Sequence, residues 1–146
     1  MTVPPDRAVF DHLVVLLGPA ADKSKRFAAL AARAASAEDY DQAALALAVA
    51  CAGAPESADY RTALASLFRK LGWLEWAAES FTQAVGLGAK DIHTYLGLGE
   101  TLLDLAEYTR AAAALAQAIA LDPAGRDPAG IRARALALKA SRDLAR

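Results

Sequence analysis

Three consecutive stretches of this chain repeat one pattern at a fixed spacing, with no insertion between them. Residues 24–57, 58–91 and 92–125 align so that Ala43, Ala77 and Ala111 share one column and Ala50, Ala84 and Ala118 another. Leu30, Leu64 and Leu98 share a third, and Leu47, Phe81 and Leu115 a fourth. A strict period in the range of roughly 20–50 residues marks stacked repeats, each too small to bury its own apolar face and obliged to bury it against the next. Within each copy the apolar residues recur at helical spacing, as in Phe27, Leu30, Ala31, Ala34 and then Ala43, Leu47, Ala50. Each copy is therefore expected to be two helices. The alanine columns lie where helices cross closely, and the large columns fill the holes beside those crossings. Alanine makes up 39 of 146 residues, so local helix preference agrees with the period. The fold class expected is an all-α solenoid.

The ends depart from the pattern. Residues 6–17 read as a short N-terminal helix with Phe10, Leu13, Val14 and Leu17 on one face and Gly18-Pro19 as its stop. Val15 and Leu16 make its other face apolar too. Residues 127–145 read as a capping helix with Ile131, Ala135, Leu136 and Leu138 inward, and Arg132, Arg134, Lys139 and Arg142 toward solvent. Asp122 to Gly130, with two prolines and two glycines, is the joint before it. Asp91 is placed to cap the first helix of the third copy, and Gly53 and Gly72 sit at helix ends or turns. A chain of 146 residues reads as a single domain, 1–146.

The third copy, from Tyr95 to Pro123, resembles a tetratricopeptide repeat (TPR), a helix-turn-helix unit of about 34 residues. Tyr95, Leu98-Gly99 and Leu102 stand at the family's positions in the first helix. Tyr108, Ala111, Leu115 and Ala118 stand at those in the second, with Pro123 at the exit. The first copy agrees through Phe27, Leu30-Ala31, Tyr40, Ala43, Leu47, Ala50 and Pro55, but has Ala34 where a large residue is usual. The second agrees through Leu64-Ala65, Phe68, Ala77, Phe81 and Ala84, but has Arg61 at its first aromatic position. These departures predict local loosening of the packing. The resemblance implies three TPRs (24–57, 58–91 and 92–125) between an N-terminal helix and a capping helix. It is strong on fold and weak on activity.

Little in the chain points to chemistry. His12 and His93 are far apart, and neither has a metal-ligand spacing to Cys or carboxylates. Val85-Gly86-Leu87-Gly88 and Leu96-Gly97-Leu98-Gly99 are not phosphate loops, because no Gly-Lys-Ser/Thr follows. Glu100 and Asp104 form an i, i+4 carboxylate pair with no other sign of a catalytic pocket around it. No catalytic residue, metal or cofactor is expected. The net charge of −1 gives no global field for nucleic acid. It divides into −5 over residues 1–125 (10 basic, 15 acidic) and +4 over 126–146 (6 basic, 2 acidic), which suits a solvated cap or a dock for an acidic partner. Val14-Val15-Leu16-Leu17 is too short to span a bilayer and no basic signal-peptide start precedes it, so no membrane insertion and a cytoplasmic location are expected. The single cysteine, Cys51, shares a column with Val85 and Ile119 and reads as a buried apolar residue.

Binding is the function the resemblance implies. In TPR proteins the first helices line the concave surface, so the groove candidates are the first-helix residues outside the packing columns. They are Ala28, Ala32 and Ala35; Thr62, Ser66 and Arg69; and His93, Leu96, Glu100 and Leu103. An alanine floor followed by two leucines beside a carboxylate suits a peptide segment of a partner protein with apolar anchors. The alternative arrangement has the N-terminal helix folded back into part of this groove. TPR domains that grip acidic chaperone tails use Lys, Asn and Arg as a carboxylate clamp. The matching positions here are Ala28, Ala32, Ala63, His93 and Gly97, which cannot form one.

The implied role is a scaffold or adaptor. The alternative is a cytoplasmic chaperone of a secreted protein. Chaperones of type III secretion translocators are similar in outline, and Tyr95-Leu96-Gly97-Leu98-Gly99 resembles a motif of theirs. Trp73 and Trp76 lie outside the packing columns beside Glu79, Ser80 and Gln83. Two arrangements fit them: each indole covered within the monomer, or a convex contact surface for a partner or a homodimer.

Overall fold

The computed structural model describes residues 3–17 and 23–146. The helices are α1 (Arg7–Leu16), α2 (Ser24–Ser36), α3 (Tyr40–Gly53), α4 (Ala58–Leu71), α5 (Leu74–Gly86), α6 (Ile92–Asp104), α7 (Tyr108–Ala120) and α8 (Pro128–Leu144). Among the described residues there is no strand. The expected stop at Gly18-Pro19 lies outside the described residues. Packing is most extensive within the pairs α2–α3, α4–α5 and α6–α7, then between α3 and α4 and between α5 and α6. That is the order a stack of helix pairs requires.

Side-chain caps define several helix starts. Asp6 accepts from the backbone N–H of Ala8 at 2.9 Å, Ser57 from Tyr60 at 3.2 Å, Asp91 from His93 at 3.1 Å and Asp127 from Ala129 at 2.9 Å. Each such cap contributes about 1 kcal/mol by occupying an otherwise orphaned donor.

The core follows the columns. Ala43, Ala77, Ala111, Ala50, Ala84 and Ala118 are fully buried, and Leu47, Phe81 and Leu115 nearly so. Two glycines inside α6 are required by the same close approach. A Cβ on Gly97 would stand 2.5 Å from Cζ of Phe81, and one on Gly99 2.5 Å from Cδ2 of Leu115. Their helix-propensity cost of roughly 1 kcal/mol each is offset by the contact they permit. Cys51 is buried, and burial pushes its thiol up to about 11.

The turn inside each repeat carries a second periodic feature. Glu38, Gly72 and Ala106 share one column of the repeat, and all three have positive φ, at 59°, 81° and 59°. Only the second copy places glycine there, so Glu38 and Ala106 hold a left-handed conformation that costs an L-residue roughly 1–2 kcal/mol.

The period fails at the N-terminal end of the stack. Leu30 is 44% exposed, whereas Leu64 of the same column is buried. Leu98 packs against the cluster built from the first two repeats, so this column faces the preceding repeat. The first copy has none before it.

In α8 the expected register is wrong. Ile131 and Leu138 are 55% and 63% exposed and Ala135 is exposed; Ala129, Gly130, Ala133 and Ala140 are buried, and only Leu136 of the expected inward set is half-buried. The buried set continues the repeat: Ala129, Ala133 and Leu136 fall one full period after Tyr95, Gly99 and Leu102. Thus α8 packs as the first helix of a fourth copy, and close approach to α7 selects small residues over large ones.

Arg134, expected in solvent, turns instead to Asp122. That carboxylate closes the joint before α8. It accepts from the backbone N–H of Arg126 at 3.1 Å and of Asp127 at 3.2 Å, and from Arg134 at 3.3 Å. Burial opposes its charge, but these donors outweigh it and hold the carboxyl below its usual range.

Two substitutions test this packing by urea or thermal unfolding. Ala111→Leu overfills a closed crossing and is expected to lose about 1–3 kcal/mol. Ala106→Gly relieves the left-handed strain and is expected to gain about 0.5–1 kcal/mol. A neutral Ala111→Leu would mean that the α6–α7 crossing lies elsewhere.

Candidate functional site

Two adjoining clefts run along the face made by α2, α4 and α6. The first, of about 390 Å³, is lined by Ala28, Ala31, Ala32, Ala35, Leu47, Tyr60, Ala63, Ser66, Leu67 and Lys70. The second, of about 680 Å³, is lined by Ser66, Arg69, Lys70, Gly72, Leu74, Phe81, His93, Gly97 and Asp104. Ser66 and Lys70 belong to both, so the clefts form one groove. Its first half is nearly all apolar and its second half carries charge. Lys70 stands at the junction with its ammonium 5.2 Å from the Tyr40 ring centroid.

The sequence candidates divide. Ala28, Ala32 and Ala35 line the first cleft, Arg69 and His93 the second, and Ser66 both. Thr62 is half-buried, its hydroxyl 2.9 Å from that of Thr94 on α6, and contributes to helix stacking. Leu96 is not on the groove surface. It is 8% exposed and packs with Leu115, Ala118, Ala129 and Ala133, because α8 covers it. Leu103 is half-buried between the two C-terminal core clusters. The expected pair of leucine anchors is therefore part of the core.

Glu100 is not a free acidic neighbour either. Its side chain is only 11% exposed, with one oxygen 2.7 Å from Nη1 of Arg69 and the other against Nε of Arg132. Arg69 also reaches Asp104 at 3.3 Å. An ion-pair chain thus crosses α4, α6 and α8, and Glu100 holds the Arg132 guanidinium protonated beyond its ordinary range.

Tyr60, Ala63, Leu67, Lys70, Gly97 and Asp104 are lining residues absent from the candidate set. A signal for four of them was present in the period. Ala63 and Gly97 share one column, and Lys70 and Asp104 another, each one helical step from a chosen column.

The convex tryptophan surface does not form. Trp73 is 5% exposed and Trp76 is half-buried. They join Phe10 and Phe68 in one aromatic cluster, with centroids 5.2 Å apart for Phe10–Trp76, 5.8 Å for Phe68–Trp73 and 5.3 Å for Trp73–Trp76. The covering element is α1, whose Phe10 is its one buried residue and whose Arg7 lies 4.4 Å over Trp76 and pairs with Glu79 on α5. Helix α1 packs on α3, and none of its residues lines either cleft, so the groove is not filled by it. Its Val9, Leu13, Val15, Leu16 and Leu17 remain exposed, including Leu13 and Leu17 of the face expected inward.

The tetratricopeptide repeat family model matches residues 92–124, the third copy. Solved structures extend the likeness over the chain. The first TPR of Spaghetti (RPAP3), bound to an HSP90 peptide, superposes with a TM-score of 0.76 at 19% identity, covering 86% of this chain and 96% of that one. This is a tetratricopeptide repeat fold. The Yersinia enterocolitica type III secretion chaperone SycD, in complex with a peptide of the translocator YopD, gives 0.74 at 16% identity, covering 84% and 95%. A type III secretion complex from Aeromonas hydrophila gives 0.76 at 19%, covering 90% and 89%. No curated protein matches the sequence significantly. The five TPR positions that would hold a carboxylate clamp, Ala28, Ala32, Ala63, His93 and Gly97, all line the groove. Among the described residues no group of His, Cys, Asp and Glu is placed to hold a metal ion, and no helix is long and apolar enough to cross a membrane.

The placement of α1 is testable by fluorescence. Phe10→Ala is expected to free α1 and red-shift the tryptophan emission, while the repeats keep their helical circular dichroism. An unshifted spectrum would mean that Phe10 does not cover the indoles.

Proposed function

We propose that this TPR protein is a non-catalytic interaction module that takes a peptide segment of a partner protein in its concave groove, in a scaffold or adaptor role. The observation that carries the reading is the open, continuous groove along α2, α4 and α6. A row of alanines with Tyr60 and Leu67 at its side leaves room for bulky apolar side chains and offers them an apolar lining. The solved TPR structures that bind HSP90 and YopD peptides support the same use of the fold.

A narrower reading is a chaperone of a secreted protein, favoured by the likeness to SycD and to the Aeromonas hydrophila complex. The HSP90-peptide complex superposes equally well, so the broader reading stands first. Co-expression with an apolar secreted substrate separates the two: solubilisation of the substrate supports the chaperone. A reducing cytoplasmic setting belongs to the same proposal and rests on the lone, buried Cys51 thiol. Homodimer formation, without the tryptophans, is assigned to the exposed apolar residues of α1, and light scattering on Leu13→Ser/Leu16→Ser against the parent tests it.

Peptides selected from a random displayed library test the groove itself. Ala63→Trp, which fills the first cleft, is expected to weaken the selected peptides by at least about tenfold, since a filled pocket removes the anchor. Gln83→Trp on the convex α5 is expected to leave affinity unchanged. Equal affinity in parent and folded Ala63→Trp would exclude the groove.

A further inference from the structure

Glu100 neighbours the second cleft, whose lining includes its partner Arg69. It projects from the groove helix α6 between two guanidinium groups, Arg69 of α4 and Arg132 of α8, and each of its oxygens meets one of them. Two arginines converging on one carboxylate, one oxygen each, are the arrangement by which proteins recognise an acidic side chain or chain terminus. Arg69 is further engaged by Asp104, which itself lines the second cleft. The two arginines, Arg69 and Arg132, thus face two carboxylates of the same chain, while the Lys70 ammonium lies over the Tyr40 ring. The apolar half of the groove has no such carboxylate among its lining residues.

We propose that Glu100 is an internal stand-in for a ligand carboxylate and sets the charge selectivity of the groove: it occupies the Arg69–Arg132 anion position, so the partner segment is apolar in the first cleft and free of acidic side chains across the second. The proposal rests on the groove reading above and adds to it the chemistry of the occupant. An incoming carboxylate would have to displace Glu100, which is tethered and nearly buried, or lie against Asp104 and Glu100 as an unpaired like charge. An uncharged segment meets neither penalty.

The test uses two synthetic heptapeptides read by fluorescence anisotropy. One ends in three glutamates and a free carboxylate; the other carries glutamines and a C-terminal amide. The parent is expected to bind the acidic peptide no more tightly than the neutral one. Glu100→Ala vacates the anion position and is expected to raise affinity for the acidic peptide about tenfold, as charge-assisted pairs with two arginines form. The gain is expected to vanish at salt on the order of 0.5 M and in the double variant Glu100→Ala/Arg69→Gln, with the neutral peptide unaffected throughout. Glu100→Gln keeps the side-chain volume and serves if the alanine variant melts early.

A parent that prefers the acidic peptide, or folded Glu100 variants that gain nothing for it, would overturn the proposal. Neither outcome touches the groove reading, which stands or falls on the Ala63→Trp comparison. Conversely, the gain in the Glu100 variants needs no natural partner.

Discussion

The structure depends on helices that touch with no room to spare. Six alanines at the two crossings of each repeat are fully buried, and Gly97 and Gly99 stand where even one Cβ would enter Phe81 or Leu115. Dispersion at this distance is weak per atom pair and large in sum, and it is lost quickly when the surfaces separate. Small residues therefore sit at fixed places in each repeat, and the large ones beside them are locked into the remaining holes. The cost is local: the turn column left two non-glycine residues in a left-handed conformation, at Glu38 and Ala106.

The same constraint explains what could be read from the sequence and what could not. Ala43, Ala77 and Ala111 have one environment because each is flanked by the same neighbours, so periodicity alone located them. Leu30 shares a column with Leu64 but not its neighbour, since no repeat precedes it. Ile131 and Leu138 looked like core because they are large and apolar. The face of α8 that meets α7 needed Ala129 and Ala133 instead, and extending the period by one more copy identifies that face. Trp73 and Trp76 were illegible for a different reason. Phe10, on a helix outside the repeats, packs on Trp76 and on Phe68, against which Trp73 stacks, and no period relates that helix to them.

The groove was half legible. Ala28, Ala32 and Ala35, off the packing columns, line the first cleft, because small side chains on a first helix leave space there. In the second half the columns continue while the surroundings change: α8 covers Leu96, and the core takes Leu103. Glu100, read as a lone acidic neighbour, is held by Arg69 on the first helix before its own and by Arg132 on the helix that continues the series after it. Such pairs form between adjacent first helices, and a single copy of the repeat does not display them.

Packing and recognition are linked through these first helices. One side of each supplies the small residues that close the stack, and the other supplies an apolar floor that passes into an internally neutralised charge cluster. A groove built this way is preorganised, because its walls are the core elements themselves. The most direct measurement is backbone amide shift mapping of the labelled protein with a library-selected peptide. The predicted result is perturbation concentrated at Ala28, Ala32, Ala63 and Ser66, with α3, α5 and α7 unchanged. Shifts confined to α1, the convex helices or the outer face of α8 would contradict a concave binding site.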